Sequence, residues 1–395
     1  MRGPVGPTAI EVALSDAPYP VLVGDGFLDG LGDHLDVLAG ASTALVVTQQ
    51  PVIDAGHVAP IEAALEARGI EVVRHLVPDG EVAKDVAVLA GLWDAAADAA
   101  LSRRDVVVAV GGGVVGDLAG FAAATYNRGI SVLQVPTTLL AQVDAAIGGK
   151  TGINLAAGKN LVGAFHQPVA VVCDVATLDS LSPRLLIEGL GEVIKCGLIA
   201  DPRVLELLES LVAQPSSGVA GSTRDEGGGA DGSLVVGPDV GWLDRDVLLE
   251  LVRRSVAVKA EVVAADEREG GIRAYLNLGH TYGHAVESLT GYSRVLHGEA
   301  VAIGTVVALR IGARLGRTPE PVVARGEELL AAVGLPTRGP RLDREAAWRA
   351  MTRDKKAAGG QVRFVVLDDL AQPTVVVPDR AVVDEVLDAL VAPTS

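Results

Sequence analysis

Cysteine and aromatic residues are scarce in this chain. Cys173 and Cys196 are its only cysteines, which excludes a disulfide scaffold and a multi-cysteine zinc site and is typical of the reducing cytoplasm. Aromatic residues make up 3% of the sequence but hydrophobic residues 49%, so the core must be largely aliphatic. The chain has 395 residues, and single cores rarely exceed ~250–300 residues, so we expect two domains.

Positive charge is also low. The chain carries 33 Lys and Arg against 50 Asp and Glu, a net charge of −17. Such a protein repels nucleic-acid phosphates and anionic lipid headgroups, so we expect a small-molecule partner, no nucleic acid and no membrane surface. The N-terminal sequence lacks the apolar segment of a signal peptide, and glycines and Asp117 interrupt the apolar run at 106–125. We therefore expect a cytoplasmic protein without a membrane span.

Lysine and asparagine are rare as well. A lysine ammonium is a compact, mobile point charge that arginine does not replace, so a chain biased against lysine is expected to keep it where chemistry requires it. The rare residues cluster in a few segments. They are Lys84, Lys150, Lys159, Lys195, Lys259, Lys355, Lys356, Asn127, Asn154, Asn160 and Asn277.

The first part of the chain alternates short β-branched runs with helical stretches. Strands are predicted at 44–48, 71–77 and 105–110, with helices at 58–68 and 89–101. This alternation predicts a parallel sheet with helices on both faces. We assign residues 1–180 to such an α/β nucleotide-binding domain.

From about residue 181 to residue 395 the pattern becomes mostly α-helical, with one short strand predicted at 364–369. Residues 214–241 are rich in Gly, Ser and Asp. Such a segment buries too little apolar surface to offset its ordering entropy. It is predicted to be a flexible surface insertion in a helical metal- and substrate-binding domain.

A glycine-rich turn follows the strand at 105–110. The sequence GGGVVGD (111–117) contains G-x-G-x-x-G and leads into a helix. Glycines allow close approach of backbone N–H groups to a phosphate, which the helix dipole also favours. No acidic residue lies about 20 residues further on to hold a ribose, so a ligand-free tight turn remains the alternative explanation.

Polar residues at other strand ends favour the nucleotide interpretation. Glu81 and Lys84 follow the strand at 71–77, and Thr137 and Thr138 follow the run SVLQV. The next segments add Asp144, Lys150, Lys159 and Asn160. Lys150 follows two glycines, so its ammonium group can reach phosphate oxygens across an open backbone.

Histidines and a glutamate in the second half have the composition of a metal site. His280 and His284 lie four residues apart and therefore on one helix face, and His297 starts another predicted helix. Glu192 lies three residues before Lys195. Two imidazoles, one carboxylate and an open position are typical of a catalytic zinc-type ion. The spacing alone leaves open which two histidines bind.

Further cations, and one asparagine, lie in the same half of the chain. Lys259, Arg273, Asn277 and the lysines of RDKK (353–356) suit a substrate with phosphate and carboxylate groups. Each of these cations, taken singly, is better explained by a surface salt bridge.

Taken together, these segments resemble the 3-dehydroquinate synthase family over roughly residues 78–367. The resemblance is carried by GGGVVGDLAGFAAATYNRG, VPTTLLAQVDAAIGGKTGIN, GKNLVGAFHQP, GLGEVIKCG, VKAEVVAADE, NLGHTYGHAVE, HGEAVAIG and DKK. It implies an α/β NAD domain, an α-helical metal domain, an active site between them and a homodimer. It also implies NAD and zinc or cobalt as cofactors.

The resemblance further implies roles for individual residues. The implied metal ligands are Glu192, His280 and His297, with His284 as an acid–base or orienting group. The implied substrate contacts are Lys150, Asn160, Lys195, Lys259, Arg273, Asn277 and Lys355 or Lys356, with Arg128 and Asp144 nearby. The implied NAD contacts are Glu81, Lys84, Gly111, Gly112, Gly113, Gly116, Asp117, Thr137, Thr138, Lys150 and Lys159.

The implied reaction converts 3-deoxy-D-arabino-heptulosonate 7-phosphate to 3-dehydroquinate and phosphate, with NAD used catalytically. There are three alternatives. The first is another sugar phosphate cyclase, of the aminodehydroquinate, inosose or valiolone type. The second is a metal-dependent polyol dehydrogenase of the same fold, and the third is a non-catalytic binding protein.

The chain departs from the family pattern at one expected NAD contact. Family members often have an acidic residue and an Asn after the first strand for the adenosine ribose, whereas this chain has TQQP (48–51).

Overall fold

The computed structural model describes residues 3–213, 240–241, 243–292, 294–354 and 361–390. The chain divides into two compact units. The first comprises Met1–Leu181 and Leu248–Arg268, and the second comprises Ser182–Val247 and Glu269–Ser395. The functional assignment of domains 1–180 and 181–395 stays a prediction. The expected insertion at 214–241 lies outside the described residues except for its last two positions.

The strands of the first unit are β1 Val5–Val12, β2 Tyr19–Asp25, β3 Thr43–Thr48, β4 Glu71–Leu76, β5 Val106–Gly111, β6 Ser131–Pro136, β7 Lys150–Leu155, β8 Gly158–Phe165 and β9 Ala170–Asp174. Seven of them form one sheet in the order β1-β2-β9-β6-β5-β3-β4, and β7 and β8 form a separate hairpin. All neighbours in the large sheet are parallel except β1 and β2. The predicted parallel sheet is therefore confirmed, with one antiparallel strand at its edge.

Helices cover both faces of this sheet, because its central strands are apolar on both sides. Val46 of β3 packs with one core cluster, and its neighbour Val47 packs with the other. The helices that begin in this part of the chain are α1 Gln50–Asp54, α2 Val58–Ala67, α3 Val86–Asp98 and α4 Gly113–Thr125. Helix α2 belongs to the first cluster, and α3 and α4 belong to the second.

The carboxyl ends of the central strands lie along one edge of the sheet. Val47 near the end of β3 pairs with Ala109 of β5, and Gly111 pairs with Pro136 at the end of β6. Ligands of open α/β sheets bind outside this edge. The glycine turn, Gln49 and Thr137 therefore follow three adjacent strands at the edge where a nucleotide is expected.

The second unit is mostly helical, as expected. The remaining helices are α5 Pro183–Ile199, α6 Pro202–Val212, α7 Arg245–Ala265, α8 His280–Leu289, α9 His297–Arg314, α10 Glu320–Ala332, α11 Arg344–Asp354 and α12 Arg380–Ala389. Helix α7 contributes its residues from Leu248 onward to the first unit. The strand predicted at 364–369 is confirmed as β10 Phe364–Asp369, which pairs with β11 Gln372–Val376. No described helix is long and apolar enough to cross a membrane.

Candidate active site

Three helices of the second unit meet closely through glycines. A Cβ at Gly191 of α5 would press on the backbone of Gly298 in α9, and a Cβ at Gly298 would overlap the carbonyl of Glu188. A Cβ at Gly279, just before α8, would press on Val301 and Thr305 of α9. Each of these glycines adjoins a predicted metal ligand, so the close helix contacts bring the ligands toward one another.

Glu192, His280 and His297 form a compact cluster at these contacts. The Nε2 atoms of His280 and His297 lie 3.6 Å and 3.8 Å from Oε1 of Glu192. One ligand atom from each of the three residues lies within 4.8 Å of the others. Ligands about 2.0–2.1 Å from a tetrahedral zinc ion are roughly 3.3–3.4 Å apart, so the cluster needs only a small contraction to hold such an ion.

The unused ring nitrogens of both histidines have hydrogen-bond acceptors. Nδ1 of His280 lies 3.1 Å from the carbonyl oxygen of Leu278, and Nδ1 of His297 lies 3.2 Å from Oε2 of Glu287. A proton on Nδ1 in each ring leaves the Nε2 lone pair directed at Glu192. Burial, and then the positive charges of Lys195 and the neighbouring histidines, lowers the pKa of His280 well below its usual value. His280 is therefore neutral at neutral pH and able to bind a cation.

The Glu192 carboxylate is buried and short of hydrogen bonds. Only 1% of its side chain is exposed, and Lys195 forms an ion pair with it. Neither carboxylate oxygen has a well-formed hydrogen bond among the described residues. A buried carboxylate is costly unless cations compensate it, and Lys195 supplies one positive charge. The donor set and the incompletely satisfied Glu192 both fit a divalent ion.

The other predicted residues of this unit that the structure describes lie on the same or adjoining elements. The His284 ring packs edge-to-face against His280, with ring centroids 5.3 Å apart. Arg273 is buried, and Asn277 donates to Oε1 of Glu269 at 2.9 Å. Lys355 and Lys356 lie outside the described residues.

In the first unit, the glycine turn is packed against its neighbours. A Cβ at Gly112 would approach Thr138, one at Gly113 would approach Ala145, and one at Gly116 would overlap Gln134. The predicted tight turn is therefore confirmed, and packing explains part of the glycine content. The first N–H groups of α4 have no intrahelical acceptor and provide an anion-binding end, so the turn also fits a pyrophosphate.

Lys84 is the centre of a polar network beside this turn. Its Nζ lies 2.5 Å from Oδ2 of Asp117 and also donates to Oδ1 of Asn160. Nζ of Lys159 lies 3.6 Å from Oε2 of Glu81. The structure therefore brings five predicted residues together, four of them expected at NAD and Asn160 at the substrate. The network connects α4 to the β7–β8 hairpin.

Other predicted residues of the first unit fall into two groups. Lys259 of α7 forms an ion pair with Asp144, and Lys150 begins β7 with an exposed side chain. Arg128 lies in the turn between α4 and β6, at the end of α4 remote from the glycine turn. A 13-residue helix spans about 20 Å, so Arg128 is set apart from the glycine turn.

Three neighbours of the predicted site residues were given no specific role from the sequence. Glu287 lies beside His297. Asn154 donates to Glu81 at 2.7 Å and accepts from the backbone of Asn160 at 2.9 Å. Burial raises the pKa of Glu188 to about 7, against the opposing charge of His297. Glu287 had a detectable signal, because it follows His280 by seven residues and therefore shares its helix face.

Comparisons with known proteins show which family the chain resembles. The family model for the N-terminal part of 3-dehydroquinate synthase matches residues 74–188, and the model for its C-terminal part matches residues 237–357. The chain is 46% identical to the 3-dehydroquinate synthase of Thermobifida fusca (strain YX) over 369 residues, which are 93% of this chain and 92% of that protein.

Two solved structures have the same fold. The 2-epi-5-epi-valiolone synthase ValA of Streptomyces hygroscopicus subsp. jinggangensis 5008, with NAD+ and Zn2+ bound, is 25% identical with a TM-score of 0.79, and the match covers 96% of this chain and 98% of that one. A 2-deoxy-scyllo-inosose synthase in complex with carbaglucose-6-phosphate, NAD+ and Co2+ is 24% identical with a TM-score of 0.80, covering 97% and 100%. At such identities we take from them the shared fold.

Proposed function

Since the chain belongs to the 3-dehydroquinate synthase family, we propose that it converts 3-deoxy-D-arabino-heptulosonate 7-phosphate to 3-dehydroquinate and phosphate, with catalytic NAD and a divalent zinc or cobalt ion. The observation that carries the proposal is the cluster of Glu192, His280 and His297, whose ligand atoms lie within 4.8 Å of one another. When bound, the ion supplies polarisation of a substrate hydroxyl, and NAD supplies reversible hydride transfer.

The residues have separate tasks in this proposal. Glu192, His280 and His297 hold the ion, and His284 beside them orients the substrate or moves a proton. The glycine turn at 111–116 binds the NAD pyrophosphate, supported by Glu81, Lys84, Asp117, Thr137, Thr138 and Lys159. The proposed substrate contacts are Lys150, Asn160, Lys195, Lys259, Arg273, Asn277 and Lys355 or Lys356, with Asp144 and Arg128.

Burial supports the proposed substrate contacts. Lys195 and Arg273 are each only 1% exposed, and Lys259 is 6% exposed. A buried cation is costly without anionic partners. The phosphate and the carboxylate of the substrate are expected to be anionic partners in addition to those that the protein supplies. A glycerol-like substrate has no anionic group for these cations.

We also propose a cytoplasmic homodimer that binds no nucleic acid. Both cysteines are buried and neither forms a disulfide, as expected in a reducing compartment, and the net charge of −17 opposes binding to nucleic acid. The β7–β8 hairpin exposes Leu161, Phe165 and Leu155 to 58%, 47% and 47%, which favours burial against a second copy. A single monomeric species in sedimentation equilibrium would refute the dimer.

The reaction is tested with the purified full-length chain, zinc, trace NAD and the heptulosonate phosphate. We expect phosphate release far in excess of the NAD supplied, formation of 3-dehydroquinate and no accumulation of NADH. Accumulated NADH would indicate a polyol dehydrogenase. Inactivity here, combined with phosphate release from sedoheptulose 7-phosphate, would indicate another sugar phosphate cyclase, and inactivity with both would favour a binding protein.

A further inference from the structure

We propose that Glu287 is the positioning residue for His297, holding the ring by a hydrogen bond at Nδ1 so that Nε2 is directed to the metal. The proposal rests on the metal site of the proposed function. It assigns a task to a buried carboxylate that is neither a proposed ligand nor a proposed substrate contact.

The geometry of the contact carries the proposal. Oε2 of Glu287 lies 3.2 Å from Nδ1 of His297, and Nε2 of the same ring lies 3.8 Å from Oε1 of Glu192. A single ring therefore bridges two carboxylates through its two nitrogens. Glu287 is 5% exposed, so its carboxylate needs a donor, and a neutral imidazole with its proton on Nδ1 provides one.

His297 needs such an anchor more than His280 does. The His297 side chain is 28% exposed, whereas that of His280 is 11% exposed. A more exposed ring retains more rotational freedom, and ordering it costs conformational entropy when a metal binds. The acceptors also differ, because His280 faces the neutral carbonyl of Leu278 while His297 faces an ionisable carboxylate. A charged acceptor makes the stronger hydrogen bond and raises ligand basicity.

A second ion is the competing explanation of the same contact. His284, Glu287 and His297 also offer ligand atoms within 4.8 Å of one another. A ring that binds one metal through Nε2 keeps its only N–H proton on Nδ1, and a second ion there would have to displace that proton. The Nδ1 to Oε2 separation of 3.2 Å is within the range of an ordinary N–H···O hydrogen bond. This separation is also close to the spacing of two zinc ligands, so it is the proton held on Nδ1 that favours one ion and a hydrogen bond.

The test measures metal binding by the full-length chain rather than turnover. Wild type, Glu287→Ala and Glu287→Gln are stripped of metal and titrated with zinc against a chromophoric chelator, and the visible spectrum of the Co2+ form is recorded. We expect one zinc per chain in wild type. Loss of such a hydrogen-bond partner typically lowers metal affinity by about 10–100-fold, and we expect this for Glu287→Ala. Glu287→Gln keeps a neutral acceptor, so its affinity should lie between the two and its cobalt spectrum should approach that of wild type.

The matched control is Glu327→Gln. Glu327 pairs with Arg310 of α9 at 2.5 Å, so this variant also removes one negative charge facing α9, well away from His297 along the helix. It should bind zinc like wild type. Far-UV circular dichroism identifies folded variants, and Glu287→Gln keeps the test usable if Glu287→Ala does not fold.

Three results have distinct consequences. Unchanged zinc affinity in folded Glu287→Ala would overturn the positioning role. Two zinc ions in wild type and one in Glu287→Ala would make Glu287 a ligand, which also overturns it. Absence of zinc binding in wild type would instead refute the metal site of the proposed function.

Discussion

At the scale of single residues, the end of β3 departs from the usual dinucleotide site. Nε2 of Gln49 donates to the carbonyl oxygen of Pro78 at 2.7 Å. The side chain therefore offers a ligand only its neutral amide oxygen, Oε1, as a hydrogen-bond acceptor. The hydroxyl of Thr48 is buried without a hydrogen-bond partner among the described residues. An acidic residue at the end of a neighbouring strand usually binds the ribose 2′-hydroxyl of NAD and disfavours the 2′-phosphate of NADP. Gln49 is expected to discriminate weakly between the two cofactors.

Glu at position 49 should restore this discrimination, while losing the hydrogen bond that Gln49 donates to the Pro78 carbonyl. A carboxylate accepts a hydrogen bond roughly twice as strong as a neutral amide does and repels a 2′-phosphate. We expect Gln49→Glu to raise the ratio of the NADP and NAD dissociation constants about tenfold, which is ~1.4 kcal/mol, measured by isothermal titration calorimetry. Gln50→Glu is the charge control, because Gln50 donates to Asp54 within its own helix. An equal change in both variants would assign the effect to charge alone.

At the scale of elements, the metal cluster depends on how closely α5 and α9 approach. The missing Cβ of Gly298 allows contact with the carbonyl of Glu188, and the Gly298 N–H also donates to the Glu188 carboxyl group at 3.4 Å. A residue next to His297 therefore determines both helix packing and ligand position. The lack of a side chain at Gly298 is a packing requirement.

Alanine at position 298 should therefore destabilise the second unit. Overpacking typically costs ~1–3 kcal/mol, and we expect Gly298→Ala to lower the thermal midpoint and the zinc affinity together. Gly91→Ala is the matched control, since Gly91 lies in α3 with open space where the added methyl group would lie. Replacing this helical glycine should raise the free energy of unfolding by about 0.5–1 kcal/mol. A midpoint in Gly298→Ala at or above that of wild type would contradict the packing argument.

At the scale of the whole molecule, zinc and NAD should each stabilise the chain independently. A ligand that binds only the folded state adds ~2.7 kcal/mol at 100 times its dissociation constant. We expect both ligands to raise the calorimetric transition temperature of wild type. His280→Ala should lose the zinc response and keep the NAD response, because its ring belongs to the metal cluster of the second unit and the glycine turn belongs to the first. A zinc response retained by His280→Ala would reassign the ligand to His284.

Local patterns in the sequence were sufficient for much of this molecule. The alternation of strands and helices predicted the parallel sheet, and the run of glycines after β5 predicted the strand-to-helix turn. The four-residue spacing placed His280 and His284 on one face of α8. These features could be predicted because helix and strand periodicity, and the conformational freedom of glycine, act over a few residues.

Tertiary structure decided which of these local features meet. Spacing along the chain did not choose between His284 and His297 as a partner for His280 and Glu192. The structure groups His280 and His297 with Glu192 through helices that approach at Gly191, Gly279 and Gly298. It also placed Glu287 at the back of His297, Arg128 at the far end of α4, and part of α7 in the first unit. Such contacts join residues far apart in sequence, and their energy comes from packing between helices, which no local pattern contains.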